Sequence, residues 1–508
     1  MKYYFTFSLL VSFLFSFSQN TYKQPYFADS GRTQKIKATA DVIGKLYADH
    51  ANNNHLPGFV YAVVADGQVA FSGSMGFTDI ETKQPATTTS AFRIASMSKS
   101  FTAVAILQLR DKGKLRLDDA AADYIPEMRS ITYLTTDAPK ISIRHLLTHA
   151  SGFPEDNPWG DRQLDDTDKE LLALVQNVSF SNVPGVAYEY SNLGFALLGR
   201  IISNVSGMPY QQYITQNIFL PLGMKNTFWE YTKVAPIQLA HGYSWSNGQW
   251  KEVPLLHDGS FGAMGGIITT IEDFTKYINF HLAAWPPRNG AESPVLKRSS
   301  LREMQAAHNF SGLNTRFKYA SGRPCATTSA YAYGLRWSTD CDGKTFVGHS
   351  GGLPGFGSNW NILPEYGLGV VCFANVTYAP TGNFNLSILD TLVQLADLKP
   401  RVLPASTILE QRQNELVQLL PNWKEAQRSG LFAENFFLDY DIATLQKQTN
   451  ELFERAGKIL RTHALEAENQ LRGSFILEGT RSNILVSFTL TPEKEPLIQE
   501  FHIRPAGK

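Results

Sequence analysis

Ser96 and Lys99 stand three residues apart in Phe92-Arg93-Ile94-Ala95-Ser96-Met97-Ser98-Lys99-Ser100-Phe101, just before an apolar, helix-forming run from Thr102 to Leu109. That setting predicts Ser96 at a helix N-terminus, with Lys99 one turn later on the same face. A serine hydroxyl is a poor nucleophile at neutral pH and needs a base within hydrogen-bond reach. A partly desolvated lysine amine is one such base. The helix N-terminus adds positive potential and free N–H groups where an oxyanion would form. An ordinary surface helix carries the same two residues, so S-x-x-K alone decides nothing.

Two further stretches add weight. Pro184-Gly185-Val186-Ala187-Tyr188-Glu189-Tyr190-Ser191-Asn192 leads into an apolar helical run. It places a phenol (Tyr190) and a carboxamide (Asn192) two residues apart at a loop-to-helix junction. A phenol whose pKa is lowered by Lys99 can shuttle protons between Ser96 and a leaving group. Asn192 can hold Lys99 or a substrate amide. The third stretch, His349-Ser350-Gly351-Gly352, ends a strand-like run. Its imidazole and hydroxyl can bind a substrate carboxylate or assist proton transfer, and its glycines let substrate lie against the strand.

With these three motifs in order, the chain resembles the serine β-lactamase and penicillin-recognising hydrolase family, on its class C-like, D-peptidase and esterase branch. Class A relatives carry S-x-x-K with S-D-N and K-T-G. Here Tyr190-Ser191-Asn192 and His349-Ser350-Gly351 stand in their places. The resemblance covers residues 35–398 and takes in Leu146-Leu147-Thr148-His149-Ala150-Ser151-Gly152 and Phe219-Leu220-Pro221-Leu222-Gly223-Met224. It implies Ser96 as the acylated nucleophile, Lys99 and Tyr190 as the base and proton relay, and Asn192 as a substrate-positioning group. His349, Ser350 and Gly351 bind the substrate carboxylate or leaving group, and the N–H groups of Ser96 and Gly352 form the oxyanion hole. No metal or organic cofactor is implied, and the partner is a small-molecule or peptide substrate. Three readings stay open: a hydrolase of peptides, amides or esters; a β-lactamase, against which His349 in place of lysine argues; and a catalytically quiet cell-wall or penicillin-binding protein.

Other residues mimic these motifs. Tyr277-Ile278-Asn279 repeats Y-x-N inside a helix-like run and reads as packing. His257-Asp258-Gly259 repeats H-x-G too early in the chain. Lys344-Thr345 lacks the glycine of K-T-G. His149 reads as a structural loop histidine. Glu155, Asp156 and Trp159 either line the cleft or are solvated.

The elements that must position these groups follow from hydropathy patterning. Lys35–His50 reads as a helix, and Gly58–Ala65 with Gln68–Phe71 as a hairpin turned at Asp66-Gly67. The helix opened by Ser96 runs to Lys112. Helices and loops fill residues 118–284. Strands return at Tyr333–Thr339, Thr345–His349, Gly357–Leu363 and Leu368–Asn375, before a helix over Asn383–Leu398. Strands at both ends with helices between imply an α+β fold whose sheet is closed from two halves. The resemblance makes that sheet antiparallel and β-lactamase/transpeptidase-like. Lys399–Pro404 reads as a linker separating a hydrolase domain (19–398) from a small α+β domain (405–508), with helices over Ser406–Leu420 and Asp441–Arg455 before a strand meander.

The chain has 508 residues, with 43% hydrophobic and 18% charged, and Lys plus Arg equals Asp plus Glu at 46 each. A zero net charge without a basic cluster argues against nucleic-acid binding. Met1-Lys2 and the Phe-rich run Tyr3–Phe17 read as a secretory signal peptide (1–18) cleaved near Ser18–Gln19. The run is too short to span a bilayer, so the expectation is a secreted or periplasmic protein with no membrane span after cleavage. Of the three cysteines, Cys325 and Cys341 can pair, and Cys372 reads as a buried thiol.

Overall fold

The structure is a computed structural model that describes residues 22–507, so the expected signal peptide lies outside the described residues. By internal contacts the chain divides into two units, Asp29–Pro400 and a second made of the N-terminal segment through Ala28 together with Arg401 onward.

The larger unit is built on one antiparallel sheet, nine-stranded among the described residues. Its strands in chain order are β1 (Gly58–Ala65), β2 (Gln68–Asp79), β3 (Gln84–Pro85), β4 (Asn309–Asn314), β5 (Thr327–Tyr331), β6 (Arg336–Asp340), β7 (Thr345–Leu353), β8 (Phe356–Leu363) and β9 (Leu368–Ala374). Their spatial order is β3-β2-β1-β9-β8-β7-β6-β5-β4. β1 is buried along its whole length, as a strand covered on both faces must be. It turns into β2 at Asp66 and Gly67, whose φ values of 52° and 80° suit a tight hairpin. β1 then pairs with β9, from Phe59 opposite Ala374 to Ala65 opposite Leu368. The two ends of the unit thus close one sheet around the helical middle.

Six helices cover that sheet or build the site: α1 (Ala40–Asn53), α2 (Ser98–Asp111), α3 (Asn192–Ser206), α4 (Gly262–Gly265), α5 (Ile271–Leu282) and α6 (Gly382–Leu395). On one face, Tyr47 of α1 stacks on Tyr61 of β1 at 4.2 Å, and its hydroxyl donates to Asn385 Oδ1 of α6 at 2.8 Å. On the other face, Phe274 and Tyr277 of α5 pack against Trp360 of β8, and Phe101 of α2 stacks on Tyr277 at 3.8 Å. Apolar burial of this extent, at about 25 cal/mol per Å², is the main force holding these helices to the sheet. Among the described residues, no helix is long and apolar enough to cross a membrane.

Three expected elements are redrawn. The helix expected over Lys35–His50 is two, Arg32–Lys37 and α1, because the Thr39 hydroxyl donates back to the Ile36 carbonyl (2.7 Å) and interrupts the helix. The strand expected over Tyr333–Thr339 is β6, starting at Arg336. Ahead of it lies a turn at Gly334 (φ 63°) and then β5, a strand the sequence reading did not separate. β7 runs four residues past His349, through the two glycines.

The second unit is redrawn at its start. Tyr26 and Val402 exchange backbone hydrogen bonds (3.1 and 2.8 Å), and the Arg401 guanidinium lies over the Phe27 ring at 4.4 Å. The segment placed at the head of the hydrolase domain therefore belongs with the C-terminal unit, and Arg401 and Val402, read as linker, are part of it. Helices Thr407–Leu419 and Ile442–Ala456 pack their apolar faces on a five-stranded sheet, including Phe475, Val486, Phe488 and Phe501.

Cys325 and Cys341 are paired across 16 residues, and Cys372 is free and buried in β9. Closing a loop of that length restricts the unfolded chain by about 3 kcal/mol. The Cys325→Ser/Cys341→Ser double variant is expected to unfold at lower urea with a stability loss of that order; an unchanged midpoint would contradict the account.

Candidate active site

Ser96 lies in a 3₁₀ turn, Ala95–Met97, that leads directly into α2. Ala95 takes φ of 51°, a conformation rare for a residue with a side chain, and one that persists only where the surroundings impose it. The constraints are visible. Arg93 donates to the carbonyls of Gly266 (3.0 Å) and Leu256 (2.7 Å), tying down the approach to the turn. Ser358 Oγ of β8 donates to the Ile94 carbonyl at 2.7 Å. Gly351 of β7 sits so close that a Cβ there would lie 3.0 Å from Ala95 Cβ and would collide with the Ile94 carbonyl. Only glycine lets β7 seat against the Ser96 turn.

Lys99 is fully buried. Its Nζ donates to Asn192 Oδ1 (2.7 Å) and the Met264 carbonyl of α4 (3.0 Å), and stands 2.9 Å from Ser96 Oγ. The rings of Tyr190 and Phe195 lie 4.8 and 5.7 Å from it. Burial pushes its pKa from 10.5 down to about 7, against the opposing pull of Asp161 and Asp156. A neutral amine has two N–H donors and one lone pair. Two acceptors other than serine take the donors, so the lone pair is left for the Ser96 hydroxyl.

Asn192 is oriented in turn. Its Nδ2 donates to Asn157 Oδ1 at 2.7 Å, which fixes the amide so that Oδ1 faces Lys99. Asp156 accepts from the backbone N–H groups of Asn192 (2.7 Å) and Leu193 (2.8 Å), and Ser191 caps α3 through Gly194 N. Of the three loop residues left open by sequence, Asp156 is thus a cap for α3, while Trp159 is half-exposed. His149 packs at 4.3 Å from both the Tyr190 and Tyr331 rings, and its Nδ1 accepts from Ser191 N. It is structural, and it steadies the Tyr190–Asn192 junction.

Tyr190 is buried, with its ring 4.8 Å from Lys99 Nζ. Here the expectation of a lowered phenol pKa is corrected: desolvation dominates and pushes it up, so the hydroxyl keeps its proton. His349 also differs from expectation. It is buried, and its Nδ1 faces the Ser350 carbonyl while its Nε2 lies 2.8 Å from the Tyr331 hydroxyl. A carbonyl only accepts, so Nδ1 carries the proton and Nε2 accepts from Tyr331. Burial, then Arg336 and Lys99, hold its pKa well below the ordinary histidine value, leaving a neutral ring that cannot serve as a cation.

The cation facing the site is Arg336, the first residue of β6, which the sequence reading missed. Its guanidinium lies 5.5 Å from the Tyr190 ring and, among the described residues, forms no ion pair. β6 pairs with β7 only as far as Gly348, opposite Arg336, whereas β8 pairs on to Leu353. The edge of β7 from His349 onward, Ser350, Gly351 and Gly352 included, is therefore left open by β6. The mimics separate cleanly: Tyr277 is buried and donates to Ser100 Oγ (3.1 Å), His257 is exposed beside Glu230, and Lys344 is bound by Asp340, Asp342 and Asp390.

Known proteins resemble this chain in sequence and in fold. The sequence profile of the family described as Beta-lactamase matches residues 40–393. "Protein flp" of Staphylococcus aureus (strain MW2) is 30% identical over 334 residues, covering 64% of this chain and 61% of that protein. The chain thus spans about three-fifths of the length of such curated relatives. "Beta-lactamase-like protein 4" of Dictyostelium discoideum is 28% identical over 414 residues, covering 77% of this chain and 69% of that protein. Among solved structures, the octameric penicillin-binding protein homologue from Pyrococcus abyssi superposes with a TM-score of 0.59 at 20% identity, over 91% of this chain and 95% of that one. The penicillin-binding protein from Bacillus halodurans gives 0.53 at 24% identity, over 69% and 98%. With its motif residues gathered at one end of an antiparallel sheet and the profile matching most of its length, this chain belongs to the Beta-lactamase family.

Proposed function

We propose that the protein is a secreted or periplasmic serine hydrolase that cleaves a peptide, amide or ester ending in a carboxylate, through an acyl-enzyme on Ser96. The observation that carries this reading is the buried Lys99 amine, whose other two hydrogen bonds go to Asn192 and Met264 and whose lone pair is left at Ser96.

In the first step Ser96 Oγ bonds to the substrate carbonyl carbon while its proton passes to Lys99 Nζ. The carbonyl oxygen becomes an oxyanion held by the N–H groups of Ser96 and Gly352. As the carbon–leaving-group bond breaks, the Tyr190 hydroxyl gives its proton to the departing nitrogen or oxygen and is reprotonated from Lys99. Water then attacks the acyl ester, its proton returns through the same pair, and Ser96 is restored. Because the Tyr190 phenol is held above its ordinary range, it acts as a relay, with Lys99 as the base. The neutral His349 orients Tyr331 and the strand edge. The cation that would hold the substrate carboxylate is Arg336, in bidentate geometry if its fork is met squarely. Acylation by a fluorescent phosphonate or a penicillin, located on Ser96 by mass spectrometry and absent in Ser96→Ala, tests the assignment directly; an adduct on another serine would overturn it.

The sign of the pH effect follows from Lys99. Only the deprotonated amine accepts the serine proton, so kcat/KM is expected to rise with pH through about 7, falling about tenfold per unit below pH 6. A profile flat from pH 5 to 8 would contradict it. Tyr190→Phe is expected to lower kcat by about 10² or more. Tyr277→Phe, which loses one buried hydrogen bond, is expected to cost roughly 1 kcal/mol of stability with no matching loss of kcat. Arg336→Met is expected to bring the kcat/KM ratio between a carboxylate-ended peptide and its C-terminal amide from about 10² to near 1. A ratio unchanged by that variant would place the anchor elsewhere.

A further inference from the structure

A cavity of about 330 Å³ opens from the strand edge at His349 and Arg336, and runs along the α6 face of the sheet. Paired residues on neighbouring strands share a face. Ser350 opposite Asn359, Gly348 opposite Asn361, Arg336 opposite Gly348 and Ser338 opposite Ser329 place a band of small polar residues around Arg336 on that face, bounded by Phe346, which pairs with Ser338. On the next strand, β9, the same face carries Val370 and Cys372, opposite Asn361 and Asn359 and buried in the apolar core. The band therefore marks a change of chemistry within one sheet.

The band does not have the chemistry of an ordinary solvated surface. Solvated faces carry Lys, Glu and Asp, whereas among the described residues this lining holds no carboxylate and no lysine. Asn359 and Asn361 are 3% and 8% exposed, so they sit at the floor of the cavity. Asn361 Nδ2 donates to Asn359 Oδ1 at 2.7 Å, which leaves Asn361 Oδ1 free. The hydroxyls of Thr327, Ser329, Ser338 and Ser350 make no hydrogen bond to the protein among the described residues. Gly348 is the residue that keeps the floor open, since a Cβ there would lie 2.8 Å from Asn361 Oδ1. The volume corresponds to about eleven waters at about 30 Å³ each, and falls at the small end of ligand pockets.

We propose that this cavity is the subsite for the side chain of the leaving group, and that it takes an amino acid whose side chain bears an amide or hydroxyl. The inference rests on the hydrolase reading above, which sets the carboxylate of the leaving residue on Arg336 at the cavity mouth. From there its side chain reaches uncharged donors and acceptors; among the described residues the lining has no carboxylate to attract a lysine, and its Arg336 is already taken by the substrate carboxylate. A site built from hydrogen-bonding groups discriminates strongly against an apolar isostere, because the isostere leaves those groups unpaired.

Asparagine and leucine have nearly the same shape, so the test uses peptides identical except for that leaving residue, in both D and L forms. The readout is kcat/KM, or, for a peptide not turned over, its Ki against phosphonate labelling of Ser96. In one enantiomeric series the asparagine peptide is expected to be favoured at least about tenfold. Asn361→Leu and, independently, Ser338→Val are expected to bring that ratio to within about twofold of 1. Ser338 is a strand residue that is not fully buried, so its variant keeps the test decisive should Asn361→Leu fail to fold. Leucine equal to or better than asparagine in both series, or a ratio unmoved in the folded Ser338→Val protein, would overturn the subsite alone. Absence of any Ser96 adduct would overturn the hydrolase reading and the subsite with it.

Discussion

An ammonium group taken out of water is under strong pressure to lose its proton, and the candidate active site of this molecule depends on that pressure at Lys99. A shift from 10.5 to about 7 corresponds, at 1.36 kcal/mol per unit, to roughly 5 kcal/mol of preference for the neutral amine over its usual state. The surrounding architecture sustains this preference. α2 and α3 enclose the side chain, Phe195 and Tyr190 wall it in, and Asn192 and Met264 offer exactly as many acceptors as a neutral amine has donors beyond its lone pair. Asp161 and Asp156 pull the other way and limit the shift, keeping the amine near the pH where a base is both deprotonated and strong.

Holding that geometry requires the sheet and the helical region to meet at one place. Gly351 lets β7 approach Ala95, Ser358 bonds Ile94 from β8, and Arg93 fastens the turn to the segment around Gly266. The same Gly262–Gly266 segment supplies the Met264 carbonyl, and Thr102 Oγ1 of α2 donates to the Ala263 carbonyl at 2.7 Å. The strained φ at Ala95 is thus fixed from three directions, and the serine it presents needs little reorganisation to react. Charge is distributed on the same plan. Burial holds His349 neutral and brings Lys99 to where its charged and neutral forms are comparable near pH 7, while Arg336 forms no ion pair among the described residues.

Much of this was legible in sequence because it is local. The S-x-x-K spacing sets Ser96 and Lys99 on one helical face, and Ser191 announces the start of α3, so Tyr190 and Asn192 fall where the pattern puts them. The α+β class followed from strands at both ends of a helical middle. What the sequence hid is set by long-range burial. The direction of the Tyr190 and His349 shifts depends on groups that arrive from α2, β5 and β6. Arg336 and Tyr331 went unnoticed because the strand was read as starting at Tyr333, with none over Thr327–Tyr331, so the register that brings both residues to the site was missing. Met264 acts through a carbonyl, which no side-chain pattern reveals, and Asn157 is 35 residues from the amide it orients. The segment around Tyr26 joined the C-terminal unit through a two-residue bridge that leaves no periodic signature.

The most direct measurement is the titration of Lys99 itself. With lysine labelled at the ε-carbon, NMR of the intact protein is expected to show a resonance titrating near pH 7 that is absent in Lys99→Met. A Lys99 resonance that stays in its protonated form through about pH 9 would mean the amine is charged at neutral pH and cannot be the base for Ser96.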